Sequence, residues 1–371
     1  MRICSPQLGL SPNSVLGGEV YDREILLGLA KKNVKIDIIL PKNLKIDKDV
    51  KNWFVTNLPI RRIPAILFNL IVIPYLFLVY KKTKFQILRL HSPQFIGLGA
   101  LFFKIFAPTI KIIATYHQFR EAKIFGLGRF LNHKWDHIIC DSQFVKSKII
   151  KEYKIDIKKV TAIHNGVPSY LKPKEKDGKL LKKYNLEDKI VLLYMGLFIE
   201  RKNPLFLINL LSKLTQTRSD LVLIFLGEGP LKPRIIRRAG KLTLSSRIRI
   251  LNPIYGTKKT KIHNLADIFV HPAIDEGFAL APLEAMACAK PVVITKGYSG
   301  SEAVQEGING YLCYPNNLND WSQKLERLIK NPSLRKRMGT ASLKKVKTEF
   351  QWNIAAEKHL EILKELVNET N

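Results

Sequence analysis

Short apolar runs alternate with helical patterns along most of the chain, and this alternation constrains the fold more than any other feature. Helical patterns lie at about 20–31 and 142–153. In the first half, the runs with the character of buried strands are Val34–Leu40, Phe85–Leu90, Ile110–Thr115, His137–Cys140 and Lys159–His164. Strands that alternate with helices are typical of parallel sheets covered by helices.

A polar, lysine-rich segment at 169–188 interrupts this alternation and has the composition of a connector followed by a short helix. A second series of candidate strands follows it: Ile190–Met195, Leu221–Leu226, Ile248–Leu251, Ile268–His271 and Pro291–Thr295. At 371 residues the chain is too long for one ordinary core. We therefore predict an α/β protein of two doubly wound, Rossmann-like domains, at 1–168 and 189–351, with a linker at 169–188.

Doubly wound domains bind ligands outside the carboxyl ends of their strands, and two such domains facing each other would form a cleft there. The loops that directly follow strands are therefore the places to look for chemistry. The amphipathic segment that begins at Trp352 is predicted to be a helix.

The loop after Ile268–His271 carries the strongest signal, between Asp275 and Ala287. Glu276 and Glu284 are eight residues apart, so both lie near one face of a helix and its lead-in. Carboxylates accept hydrogen bonds from sugar and ribose hydroxyls. Gly277 allows a close approach of the backbone, and the amides of a helix start at Phe278, Ala279 and Leu280 suit a diphosphate.

Three further loops carry candidate binding residues. Arg201 and Lys202 follow the strand that ends at Met195, where two cations would stabilise a diphosphate leaving group. Gly17 and Gly18 precede the first helix, where backbone amides could approach a phosphate or a sugar. His117 follows the strand Ile110–Thr115 and could bond a reacting sugar, with His91 a weaker candidate on the acceptor side.

In order along the chain, these loops resemble the retaining GT-B glycosyltransferases of family 4. The donor-site pattern of that family is Glu-Gly-Phe-Gly, four residues, Glu-Ala-Met-Ala, and then Gly-x-Pro-Val-Val. Here 276–278 and 284–287 match it, and Lys290-Pro291-Val292-Val293 completes it. Asn165 and Gly166, and likewise Gly227 and Glu228, resemble family loops that border the cleft and the nucleotide base.

The resemblance implies that Glu276 contacts the transferred sugar, that Glu284 contacts the ribose, and that His117 acts beside Glu276 in catalysis. Three positions depart from the family pattern: Ala273 stands where Ser is frequent, Ala279 where Gly is usual, and Leu197 where Arg is common. We expect Arg201 to supply part of the charge missing at 197. The resemblance also implies that the C-terminal helix, at 352–371, returns to the first domain.

The implied reaction is the transfer of a hexose from a nucleotide-diphosphate sugar to an acceptor hydroxyl, with the anomeric configuration retained. We expect the reaction to need no metal or other cofactor. A nucleotide-sugar 2-epimerase on the same scaffold is the first alternative. A basic nucleic-acid-binding protein is the second, but no recognition motif accompanies the charge.

The charge of the chain points to anionic partners, since 61 basic residues face 31 acidic ones, a net charge of +30. From Val50 to Arg120 there is no Asp or Glu, and the same stretch holds the most apolar run, at 63–80. A stretch that is both cationic and apolar is typical of a membrane-surface patch. We therefore expect a glycan or lipid-linked acceptor, reached by a cytoplasmic enzyme on an anionic membrane surface.

The apolar run itself is predicted to be a buried or interfacial helix, because Pro64, Asn69 and Pro74 interrupt it. The four cysteines are scattered without metal-ligand spacing, and they are expected to be reduced thiols.

Overall fold

The computed structural model describes residues 1–14, 16–61 and 63–368. The chain divides into two compact units. The first comprises Met1–Gly166 and the chain from Trp352 onward, and the second comprises Val167–Gln351. Each unit has a parallel sheet and a hydrophobic core of its own.

The first unit builds its sheet from strands connected mostly by helices. Its strands are β1 (Arg2–Pro6), β2 (Lys35–Pro41), β3 (Trp53–Leu58), β4 (Ile87–His91), β5 (Lys111–Tyr116), β6 (His137–Cys140) and β7 (Val160–Ala162). The helices between them are α1 (Gly17–Lys31), α2 (Ala65–Thr83), α3 (Gly97–Phe106), α4 (Gly128–Leu131) and α5 (Gln143–Tyr153).

The strand order in this sheet is β3-β2-β1-β4-β5-β6-β7, and all the pairings are parallel. The winding reverses between β1 and β4, so the loops after these two strands meet at a topological switch point. β1 and β3 were not among the predicted strands. β3 is an edge strand whose side chains are mostly exposed or half-buried, so it shows no buried apolar run.

Helix α2 covers the apolar run that was predicted to be a buried or interfacial helix. Phe68, Val72 and Leu76 are buried in the core, whereas Leu70 and Leu78 are exposed. None of the helices described between residues 16 and 368 combines the length and the apolar content needed to cross a membrane.

The second unit repeats the same architecture. Its strands are β8 (Ile190–Met195), β9 (Leu221–Leu226), β10 (Ile248–Leu251), β11 (Ile268–His271), β12 (Val292–Thr295) and β13 (Gly310–Cys313). Its helices are α6 (Gly178–Lys183), α7 (Pro204–Leu214), α8 (Lys232–Lys241), α9 (Lys258–Leu265), α10 (Leu280–Ala287), α11 (Leu318–Lys330) and α12 (Pro332–Glu349).

Its strand order is β10-β9-β8-β11-β12-β13, again with parallel pairings. The winding reverses between β8 and β11, which places the loops after these strands side by side. β13 was not among the predicted strands, because it begins with Gly310 and so lacks a full apolar run. The two parallel α/β units confirm the predicted fold class.

The chain returns to the first unit as α13 (Trp352–Asn368) and packs against α1. The predicted helix extended to 371, and residues 369–371 lie outside the described residues. A Cβ on Gly28 would lie 2.5 Å from the Cβ of Ala356, so glycine permits this close helix contact. The hydroxyl of Tyr21 donates to Nε2 of His359 at 3.0 Å, because Nδ1 of this ring donates to the carbonyl of Ala355.

Candidate active site

Two loops of the second unit meet beside the switch point between β8 and β11. The loop after β8 forms a short 3-10 turn at Glu200–Lys202, and the loop after β11 runs into α10. The amide of Ile274 donates to the carbonyl of Arg201 at 2.8 Å, which joins the two loops. Residues that are far apart in sequence are thus held together by the strand order.

Glu276 lies at the centre of this arrangement, with its side chain 11% exposed. Its Oε1 contacts the ammonium of Lys202 and lies 3.7 Å from the guanidinium of Arg201. Its Oε2 accepts a hydrogen bond from Nε2 of His271 at 2.8 Å. The three sequence-predicted residues Arg201, Lys202 and Glu276 therefore lie together, and His271 joins them.

His271 is a residue whose role the sequence analysis missed. Its ring is buried and stacks near Tyr194 and Phe269, at interplanar angles of 17° and 20°. Burial first, and then the charges of Lys202 and Arg201, lower the pKa of His271 well below its usual value. The ring is therefore neutral, and because a carboxylate only accepts, Nε2 carries the proton. The available signal was its position at the end of β11, five residues before Glu276.

Two cations surround the one carboxylate of Glu276, which leaves a surplus of positive charge at this site. Burial, and then the charge of Arg201, lower the pKa of Lys202 to about 7. Helix α10 begins beside this loop with Ala279 at its N-cap, a residue without a capping side chain. A helix start leaves its first amides without intrahelical partners, so the site suits an anionic group.

The other residues predicted around α10 have different surroundings. Gly277 is buried. The side chain of Phe278 is part of the core and packs near Phe350. Only the backbone of this residue could therefore bind a ligand. Leu280 is the first residue of the helix. Pro282 has no amide hydrogen, so the available amides of the first turn are those of Ala279, Leu280 and Ala281.

Glu284 has a separate set of partners on α9. Its Oε1 accepts from Nζ of Lys259 at 2.7 Å, and Nε2 of His263 lies 3.4 Å from its Oε2. Burial alone would raise the pKa of Glu284, but Lys259 and His263 lower it to about 2. The carboxylate is therefore ionised and can accept hydrogen bonds from hydroxyl groups. Lys259 and His263, one helical turn apart, were not predicted from the sequence.

The loop after β9 lies against the loop after β8. A Cβ on Gly227 would lie 2.0 Å from the carbonyl oxygen of Gly196, so glycine is required for this approach. The amide of Phe198 donates to the carbonyl of Glu228 at 2.7 Å. The side chain of Glu228 is exposed. It lies at the carboxyl ends of the strands, as Lys202 does.

The first unit brings two histidines together beside its own switch point. Nε2 of His117, after β5, lies 3.2 Å from Nδ1 of His91, at the end of β4. Gly18 lies against this pair, since a Cβ there would approach the His117 ring to 3.2 Å. Gly17 has open space around it, and Asn165 and Gly166 are buried beyond β7, two strands from β5.

Carboxylates surround the histidine pair. Burial alone would lower the pKa of His117, but Asp141, Glu121 and Asp22 raise it above its usual value. Asp22 lies 3.5 Å from Nδ1 of His91 and forms a fully buried ion pair with Arg89. Burial opposes the ionisation of Asp22, yet Arg89 and His91 hold its pKa far below the usual range.

Within residues 1–14, 16–61 and 63–368, no group of three His, Cys, Asp or Glu side chains is arranged to hold a metal ion. The expectation that the reaction needs no metal stays a prediction. The four cysteines are free thiols, and all are buried.

Comparison with known proteins agrees with this division into two units. The family model "Glycosyl transferases group 1" matches residues 176–345, and the model "Glycosyltransferase Family 4" matches residues 15–169. The chain belongs to glycosyltransferase family 4.

Two curated relatives illustrate the range of similarity. The uncharacterized glycosyltransferase MJ1178 of Methanocaldococcus jannaschii is 30% identical over 217 residues, which span 58% of this chain and 56% of MJ1178. The capsular polysaccharide biosynthesis glycosyltransferase CapM of Staphylococcus aureus is 23% identical over 88% of each chain.

A solved structure shows the same fold over the whole length. HepE of Anabaena, in complex with UDP, superposes with a TM-score of 0.80 at 17% identity, covering 98% of this chain and 100% of HepE. The fold of this family 4 member is therefore GT-B, as predicted.

The buried Asp22–Arg89 pair supports the histidine cluster, and its removal should destabilise the first unit. We expect Asp22→Asn to lower the free energy of unfolding by about 3–5 kcal/mol, because Arg89 would be left as an uncompensated buried charge. Urea unfolding followed by circular dichroism measures this. As a control, Asp47→Asn removes the half-exposed partner of Arg23 and should cost about 1 kcal/mol or less. Equal losses in the two variants would contradict the assignment.

Proposed function

We propose that this protein transfers a hexose from a nucleoside-diphosphate sugar to a hydroxyl group of an acceptor, with the anomeric configuration retained. The observation that carries the proposal is the position of Glu276. Its carboxylate is held by Lys202 and His271 beside the start of α10, at a switch point where doubly wound sheets bind ligands.

The charges of the site suit the two parts of such a donor. Lys202, Arg201 and the amides at the start of α10 bind the diphosphate and stabilise the charge that grows on it as the sugar departs. The carboxylate of Glu276 accepts hydrogen bonds from sugar hydroxyls, and the ionised carboxylate of Glu284 accepts those of the ribose. The nucleotide base lies toward Gly227 and Glu228.

The reaction proceeds on one face of the sugar. The acceptor oxygen forms the new glycosidic bond as the bond to the diphosphate breaks, and the departing diphosphate takes the acceptor proton. His117 bonds the reacting sugar and a phosphate oxygen, and its raised pKa favours the charged form that would do so. No metal takes part in this scheme.

The relatives support a donor and an acceptor of particular kinds. HepE holds UDP on the same fold, which supports a nucleoside diphosphate as the leaving group. CapM acts in capsular polysaccharide biosynthesis, which supports a cell-envelope glycan or a lipid-linked acceptor. A cytoplasmic location at the inner face of the cell membrane belongs to the same proposal.

Glu276→Gln should lower the rate of transfer about a hundredfold or more while the protein stays folded, because the neutral amide cannot replace the charge of the carboxylate. The measurement is the formation of glycosylated acceptor from radiolabelled nucleotide-sugar. Glu326→Gln is the matched control, since Glu326 also pairs with a lysine but lies on the surface of α11. Substantial residual transfer by Glu276→Gln would contradict the catalytic role of Glu276. Formation of epimerised donor in the absence of acceptor would indicate a nucleotide-sugar 2-epimerase instead.

His271 acts as a positioning residue for Glu276, so its effect should appear in kcat. His271→Phe keeps a flat ring between Tyr194 and Phe269 but removes the donor to Oε2. We expect kcat to fall about 10–100-fold, the value of a hydrogen bond to a charged group, with a smaller change in KM for the donor. His271→Gln, whose amide can donate, should recover part of kcat. Equal kinetics of the Phe and Gln variants would count against positioning.

The lowered pKa of Lys202 predicts a pH dependence of donor binding. The donor binds the charged ammonium, and in the free protein this charge is lost as the pH rises through about 7. Affinity for a nucleotide-sugar should therefore fall by up to about tenfold per pH unit above pH 7. Lys202→Arg stays charged throughout this range, so its affinity should be flat. Calorimetric titrations between pH 6 and 9 compare the two proteins, and identical pH profiles would contradict the assignment.

A further inference from the structure

Helices α2 and α3 of the first unit expose large apolar side chains on their outer sides. On α3, Ile105 is 72% exposed and Phe106 is 63% exposed, and on α2, Leu70 is 67% exposed. The apolar face, as we name it, comprises Leu67, Leu70, Leu78, Leu98, Phe102, Ile105 and Phe106. The inner sides of the same helices bury a second apolar set in the core. The apolar face is therefore additional to what folding requires.

Close packing of the two helices joins these side chains into one surface. The amide of Leu98 donates to Oδ1 of Asn69 at 3.1 Å, and a Cβ on Gly99 would lie 2.2 Å from the carbonyl oxygen of Asn69. Farther along, the ring of Phe106 lies 5.6 Å from that of Phe77 and 5.4 Å from that of Phe102. A contiguous exposed apolar patch of this kind marks an interaction surface.

The charges beside the apolar face indicate what covers it. Lys81 and Lys82 are exposed on the last turn of α2, within one turn of Leu78. Between Val50 and Arg120 the chain has no Asp or Glu. A second copy of this chain would bring the same net charge of +30 and be repelled. An anionic lipid surface offers both an apolar interior and negative headgroups.

We propose that the apolar face, together with Lys81 and Lys82, docks the first unit on an anionic bilayer surface. Phe102, Ile105 and Phe106 enter the boundary between headgroups and acyl chains, and the two lysines bind the headgroups. This inference deepens the membrane location in the proposed function by naming the surface that binds. It is tested without donor or acceptor, so its failure would remove that location and leave the proposal of sugar transfer standing.

The test is co-sedimentation of the whole protein with vesicles of phosphatidylcholine and phosphatidylglycerol in equal parts, and with vesicles of phosphatidylcholine alone. The wild type should bind the anionic vesicles in preference. The triple variant Phe102→Ser, Ile105→Ser, Phe106→Ser should bind them at least about tenfold more weakly, since three large side chains lose their burial. Ile157→Ser with Ile236→Ser changes exposed side chains elsewhere and should leave binding unchanged.

A second pair of variants isolates the charge. Lys81→Gln with Lys82→Gln should reduce the preference for anionic vesicles, whereas Lys344→Gln with Lys347→Gln, which changes exposed lysines of α12, should leave it intact. Equal binding of the wild type to both kinds of vesicle would overturn the proposal. So would a triple variant that binds like the wild type, or sedimentation velocity showing a wild-type dimer that the triple variant breaks.

Discussion

The contact of Glu276 with Lys202 and His271 is the interaction on which the candidate site of the second unit depends. Lys202 comes from the loop after β8, and Glu276 and His271 come from β11 and the loop after it. The strand order makes β8 and β11 neighbours, and the carboxylate then holds together groups that would otherwise repel one another. The carboxylate of Glu276 thus holds together cations that the strand order brings close, in a site with surplus positive charge.

In the first unit, too, neighbouring strands bring candidate functional side chains together, and here these are two histidines. His91 and His117 meet because β4 and β5 are adjacent, and Asp22 lies beneath them with Arg89 as its buried partner. The histidine pair is therefore supported by a charge pair that has no access to water. Burying such a pair costs free energy, which the contact between its two charges offsets in part.

Much of the fold was predictable from the sequence, because buried parallel strands have uninterrupted apolar runs, as Leu221–Leu226 shows. β1, β3 and β13 were not predicted. β3 is an edge strand with mostly exposed or half-buried side chains, and β13 begins with a glycine, so neither has a full apolar run. At the site, Glu276, Glu284 and Lys202 belong to sequence motifs and were therefore predicted. His271, Lys259 and His263 were missed because their importance lies in contacts across 5 to 25 residues of sequence, which no local pattern reveals.

The most direct test of the account is whether the protein binds a nucleoside-diphosphate sugar through Glu284 and the start of α10. Isothermal titration calorimetry of the wild type against a panel of such donors should find at least one that binds, and the corresponding nucleoside diphosphate should compete for the same site. Glu284→Leu should weaken that donor by about tenfold or more, since a buried acceptor of hydroxyl groups is lost. A wild type that binds none of the panel, or a Glu284→Leu variant that binds as tightly, would contradict the central claim.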